Sequence, residues 1–282
     1  MKAAEGSDVS TVRTRVGVAS VLVLLSLAGV VVVVRDSANR HATTTNLNAE
    51  FAGLEKSLPA AVGLAVHAVG AGDQSIALGH WRSGPAWSTI KVPLAIAGLR
   101  AKEPPEVTDA MRAAITRSDN VAAESIWQSL GPAVTAARRV EAVLRETGDP
   151  TVVQSRKVRP EFTAFGQTDW PLTDQARFAA LAACDKRDAP IFGLMSQIEP
   201  DQRWGIGTIS GARFKGGWGP SLSGKHLVRQ FGVLTTAAGM TAVALAAQPV
   251  SGSFDDGTQQ LTRMAAWLTA HLAELPTGNC GR

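Results

Sequence analysis

An uncharged apolar run, VGVASVLVLLSLAGVVVVV from Val16 to Val34, splits this 282-residue chain into a short head and everything after it. A helix needs about 20 mostly apolar residues to cross a bilayer, and the run, closed by Arg15 and Arg35, meets that length. A cleavable export signal is the rival reading, with Lys2, Arg13 and Arg15 as its basic leader. Such a signal carries an apolar stretch of only about 7–15 residues and a small-residue cleavage site, and no clear site follows here. The reading favoured is a retained anchor. Residues 1–15 are then a cytoplasmic tail, 16–34 a transmembrane helix, 35–45 (RDSANRHATTT) a polar linker, and 46–282 an extracytoplasmic domain. Secretion after signal cleavage is the alternative. Basic residues before the run slightly outnumber those just after it, which places the N-terminus in the cytoplasm.

The remainder is long enough for one large domain or two small ones, and 45% hydrophobic residues can fill a sizeable core. The net charge of +4 is spread thinly, with no Lys/Arg run interleaved with aromatics, which argues against nucleic-acid binding. A mildly basic exported surface suits an anionic polymer such as a cell wall. The only cysteines, Cys184 and Cys280, are too few and too far apart for a zinc pattern. Outside the cytoplasm they can form a disulfide, a pairing the sequence leaves open. The five histidines (His41, His67, His80, His226, His271) show no ligand spacing, so neither metal nor cofactor is expected. His67 alternates within an apolar strand and reads as structural.

Apolar spacing predicts a helix over Asn46–Leu58, then two strands, AAVGLAVHAVG and QSIALGHW, joined by a turn at Ala71-Gly72-Asp73. From Ser88 to about Trp204 apolar residues recur three and four apart, the mark of helices, broken by Gly-Pro, Gly-Asp-Pro and Trp-Pro. Strand patterns return at GTISGARFKGGW, LVRQFGVLTT and MTAVALAAQ, and TQQLTRMAAWLTAHLAEL closes the chain as an amphipathic helix. This order predicts an α+β fold. One antiparallel sheet, completed late in the chain, is covered by the terminal helices and interrupted by a helical insertion at about 88–204. A cleft is expected where that insertion meets the sheet, at Ser88.

Three short motifs cluster around that junction: Ser88-Thr89-Ile90-Lys91, Ser118-Asp119-Asn120 and Lys215-Gly216-Gly217. Singly, each has a plain explanation. Ser88 or Thr89 can cap a helix, Ser118-Asp119-Asn120 can be an Asx-type turn with Asp119 capping the next helix, and the glycines can end a strand. In this order they resemble the S-x-x-K, S-D-N and K-T-G set of the serine β-lactamase and penicillin-binding protein superfamily. AMRAAITRSDNVAAESIWQSLG, ETGDPT and DWPLTDQARFAALAA are similar to the helical domain of class A β-lactamases, and the likeness runs from about Asn46 to Leu275. Branches with Tyr-x-Asn as second motif are excluded, because the chain has no tyrosine. No G-x-S-x-G elbow occurs either.

The resemblance implies a β-lactamase/transpeptidase-like fold and assigns roles. Ser88 would be the acyl-accepting nucleophile and Lys91 the amine that takes its proton. Ser118 would pass a proton to the leaving group, and Asn120 would hold substrate or Lys91. Lys215 would add positive charge. Backbone N–H groups of Ser88 and Trp218, beside Gly217, would form an oxyanion hole.

Three departures qualify this. Gly216 stands where the family has a hydroxyl that grips a substrate carboxylate. Ser88 and Ser118 lie only 30 positions apart, so a helical segment that walls the cleft is missing. In VRPEFT, Arg159 takes the place of the glutamate that activates the deacylating water, and Glu161 is two residues out of register. An arginine stays protonated and cannot act as a base. The expectation is an exported serine hydrolase or acyl-transferase that hydrolyses β-lactams poorly and acts on a cell-wall peptide or related acyl compound. A non-catalytic peptidoglycan-binding module is the alternative, and a true class A β-lactamase ranks third. Trp204 and Trp218 are the tryptophans best placed to line a cleft, and Glu124 reads as a solvated helix face.

Overall fold

The computed structural model describes residues 44–70, 75–221 and 223–281. The apolar run at 16–34, most of the linker and the turn at Ala71-Gly72-Asp73 lie outside them. Two compact units divide the chain, residues 1–47 and 48–282. Helix α1 spans residues 44–57, against an expected 46–58. The rest follows as β1 (Ala60–Ala68), β2 (Ser75–Gly79), α2 (Lys91–Arg100), α3 (Asp109–Thr116), α4 (Asn120–Ser129), α5 (Ala133–Arg145), α6 (Leu172–Ala182), α7 (Ala189–Leu194), β3 (Arg213–Pro220), β4 (His226–Thr236), β5 (Gly239–Pro249) and α8 (Phe254–Ala270).

The five strands form one antiparallel sheet in the order β2-β1-β5-β4-β3. Its central strands are buried on both faces, which explains their near-continuous apolar runs in place of clean alternation. Consecutive residues of β4 show which element covers which face. Val228 meets α8 at Gly257, whereas the next residue, Arg229, bonds to Gln175 on α6. Thus α8 lies on one face and α6 on the other. Phe51 of α1 packs edge-on against Trp267 of α8 at 5.2 Å.

Helix α2 is apolar all round and buried from Lys91 to Leu99, as suits the centre of a helical layer. It packs against α3, α4, α5 and α7. Two boundaries differ from expectation. GTIS is not strand: Gly205–Thr208 form a 3-10 turn, and β3 begins only at Arg213. Asp119 does cap α4, accepting from Ala122 N at 2.9 Å, but neither Ser88 nor Thr89 caps α2. Thr89 Oγ1 instead donates back to Ala86 O. Cys184, just after α6, and Cys280 in the tail are joined by a disulfide. His67 is buried, with Nδ1 against Ala68 O.

Candidate active site

Ser88 lies in a 3-10 turn, Trp87–Ile90, that runs directly into α2. Trp87, the residue before it, has φ +49°, and Ser118 has φ +58°. Among the described residues these are the only non-glycines in the left-handed region. Such a backbone costs about 1–3 kcal/mol and is held only where the surroundings dictate it. Trp87 lines the cleft, and Ser118 is tied to it through Lys91.

The loop between α3 and α4 brings Ser118 and Asn120 over the start of α2. Lys91 Nζ donates to Ser118 O and to Asn120 Oδ1, the latter at 2.7 Å. From the other side, Lys215 on β3 donates to Ser118 Oγ and to Gly216 O, each at 2.9 Å. Lys91, Ser118, Asn120 and Lys215 therefore form one hydrogen-bonded group from three elements. Both lysine side chains are buried. Desolvation lowers the Lys91 pKa to about 7, against the opposing pull of the Asp119 carboxylate. Burial, and then the charge of Lys91, hold Lys215 well below the usual lysine range.

Strand β3 passes close to the Ser88 turn because Gly217 has no side chain. A Cβ there would sit 2.8 Å from Ser88 N and 2.9 Å from Ala86 O. Gly216 faces the other way, and a Cβ on it would lie 3.1 Å from the indole edge of Trp204. Trp204, Trp218 and Phe254 make mutual ring contacts at 5.2–6.1 Å. An aromatic cluster therefore covers the spot where the resemblance expects a hydroxyl.

The open cleft measures about 750 Å³. Ser88 and Lys91 line it, with Asn120, Val121 and Glu124 on the α4 side, Glu161 and Phe162 on the opposite loop, and Trp218 and His226 toward the sheet. Trp204, expected as a cleft residue, does not line it. Glu124 does, and is half-buried where a solvated face was expected. Arg159 is turned out of the cleft. Its guanidinium donates to Pro220 O at 2.6 Å, lies 4.4 Å above the Phe162 ring and pairs with Glu161 at 3.3 Å. It straps the 157–163 loop to the end of β3.

Reasoning from motifs missed Arg229, which bonds to the segment leading into Ser88, and Gln175, which bonds to Thr89 just after it. One signal was there to read: Arg229 is a lone charge inside the apolar strand LVRQFGVL.

No family profile matches the chain, and no curated protein matches it in sequence. Solved structures do. The TLA-3 extended-spectrum β-lactamase is 13% identical with a TM-score of 0.63, over 81% of this chain and 99% of that one. A class A β-lactamase from Bacteroides cellulosilyticus is 13% identical with a TM-score of 0.65, over 82% and 98%. The reconstructed last common ancestor of Gram-negative bacteria class A β-lactamase is 20% identical with a TM-score of 0.62, over 80% and 99%. At these identities the likeness speaks for architecture and for nothing finer, and on it this chain has a divergent serine β-lactamase-like fold.

Proposed function

We propose that the chain is a serine acyl-enzyme of the β-lactamase and penicillin-binding type, with Ser88 as acyl acceptor. The observation that carries this reading is a desolvated lysine, Lys91, one helical turn from a serine at the same cleft floor. A neutral Lys91 amine takes the Ser88 Oγ proton as Oγ bonds to the acyl carbon. Backbone N–H groups of Ser88 and Trp218 receive the developing oxyanion, and loss of such a donor costs about 3 kcal/mol in comparable sites. Ser118, held by Lys215, returns a proton to the leaving group. Asn120 fixes Lys91.

The second half-reaction lacks a placed base. Arg159 is spent on Pro220 O, and Glu161 is paired with it. Acylation is expected to outlast turnover, with β-lactam hydrolysis slow. Substrates are a cell-wall peptide or a related acyl compound, and the domain is held outside the cell by a membrane span at residues 16–34. The binding-module reading draws support from the aromatic cover over Gly216.

Intact-mass measurement after incubation with a fluorophosphonate and with a fluorescent penicillin tests the proposal. A stable adduct that maps to Ser88 and vanishes in Ser88→Ala supports the acyl-enzyme; no adduct with either probe favours the binder. Fast turnover of a chromogenic cephalosporin, lost in Ser88→Ala, would make the protein a β-lactamase after all.

Trp204 bears on substrate choice. Gly216→Thr alone is expected to leave penicillin labelling no better than parent, because the new side chain meets the indole at 3.1 Å. Adding Trp204→Ala makes room for the hydroxyl, so penicillin labelling of the double variant should rise several-fold against fluorophosphonate labelling. Equal probe preference in all three proteins would show that position 216 does not face a substrate carboxylate.

A further inference from the structure

A chain of buried polar groups runs from the residue after Ser88 to the middle of the sheet, and the chemistry above makes no use of it. Arg229 on β4, Gln175 on α6 and Thr89 are all fully buried. Arg229 Nη2 donates to Gln175 Oε1 at 2.8 Å and to Trp170 O at 2.9 Å. Its Nη1 donates to Gly84 O at 2.8 Å and to Pro85 O at 3.1 Å. Gln175 Nε2 donates to Thr89 Oγ1 at 2.9 Å, and Thr89 Oγ1 donates to Ala86 O.

The direction of this relay is fixed at one end. A guanidinium only donates, so Gln175 must turn its oxygen to Arg229 and its amide N–H to Thr89. The Thr89 oxygen is then an acceptor there, and its own hydrogen goes to Ala86 O. Gly84, Pro85, Ala86 and Thr89, on both sides of Ser88, are all tied to this one network.

The sheet is shaped to admit it. In the row across the strands, Arg229 pairs with Gly217 on one side and Ala246 on the other, and Ala246 pairs with Gly63. Every neighbour in that row is glycine or alanine, which leaves room for a long side chain. Among the described hydrogen bonds and ion pairs, no carboxylate meets the guanidinium, and burial lowers its pKa to about 9 despite the charge of Asp169. Apolar side chains would fill such a space at less cost than an unpaired buried charge. What apolar packing cannot do is point three carbonyls and a hydroxyl in set directions.

We propose that Arg229 and Gln175 are positioning residues for Ser88, holding residues 84–89 so that the turn keeps its left-handed Trp87 and presents the serine at the cleft floor. This rests on the acyl-acceptor reading of Ser88, and the test separates the two.

Gln175→Glu is the discriminating variant. A carboxylate keeps the bond to Arg229 and gives it a counter-charge, so the fold should be as stable as the parent or more so. It cannot donate to Thr89, whose hydroxyl then turns to the carboxylate and releases Ala86 O. Thr89→Val removes the hydroxyl at equal size, and Thr89→Ser restores it.

The full-length chain and these three variants are compared in two ways: fluorophosphonate labelling resolved into a maximal rate and a half-saturating concentration, and hydrogen exchange across 84–90. Gln175→Glu and Thr89→Val should lower the maximal rate by about 10- to 100-fold, as ångström-scale misplacement does. The half-saturating concentration should hold, exchange at 86–90 should quicken, and Thr89→Ser should behave as parent. Parent rates of labelling and exchange in Gln175→Glu and Thr89→Val would overturn the proposal. A parent chain that takes neither this label nor a fluorescent penicillin refutes the acyl-acceptor reading instead. Exchange alone then decides, with faster exchange confined to 84–90 upholding the positioning role and unchanged exchange ending it.

Discussion

Lys91→Met is expected to slow acylation of Ser88 by about 10²–10⁴-fold, the usual worth of a placed general base. Methionine matches lysine in length and suits a buried site, so the fold should persist and the loss should report chemistry. The parent should show a matching pH profile. Lys91 has its pKa lowered to about 7 by burial, so it is protonated and unable to accept below that pH, and free above it. The labelling rate should climb about tenfold per pH unit up to about 7 and then level off. Asp119 opposes the shift by favouring the charged amine. Asp119→Asn should therefore move the midpoint to lower pH, though it keeps the capping oxygen. Time courses of adduct mass between pH 5 and 9 read all of this. A flat parent profile, or a methionine variant labelled at parent speed, would remove Lys91 from the proton path.

Trp170→Ala is expected to cost the most stability, about 4–5 kcal/mol or more. Trp170 is fully buried, with its ring among those of Phe178 and Phe231 at 5.7 and 5.6 Å. Its Nε1 donates to Asp149 Oδ2 at 2.7 Å, and the other oxygen of that buried carboxylate accepts from Thr151 N at 2.9 Å. Alanine empties a large volume and also strips a buried carboxyl group of one of its two hydrogen-bond partners, which adds about 1–3 kcal/mol. Trp170→Phe keeps most of the volume and isolates that second part. Urea unfolding followed by circular dichroism separates the two variants. If alanine and phenylalanine lose equally, the hydrogen bond to Asp149 outweighs the packing; a loss under about 2 kcal/mol with alanine would show that the site collapses around the gap.

Much of the fold was legible because its periodicities are strong. The five strands, the helical block and the closing helix all follow from apolar spacing. GTIS misled because its one β-branched pair sits among glycines, and Gly205, with φ +57°, starts a turn there. At the site, motif spacing named Ser88, Lys91 and Asn120, which line one cleft, and Ser118 and Lys215, which do not line it but join Lys91 and Asn120 in one hydrogen-bonded group. It did not show that Trp204 lies over Gly216, since the two are linked only through the folded sheet. Nor did it single out Gln175, an ordinary polar residue in an amphipathic helix until Arg229 is placed opposite it. Long-range polar partners leave no periodic trace, so local pattern cannot find them.

The pairing of β1 with β5 joins residues 60–68 to 241–249. A ribosome therefore delivers Ser88, the whole helical block, Lys91 and Lys215 before the central strand that the first hairpin needs. Contacts of such sequence separation form slowly, because loop closure comes before its reward. The emerging chain then stays open until nearly its last 40 residues appear. Only after that point can the sheet close and the tail bearing Cys280 reach Cys184.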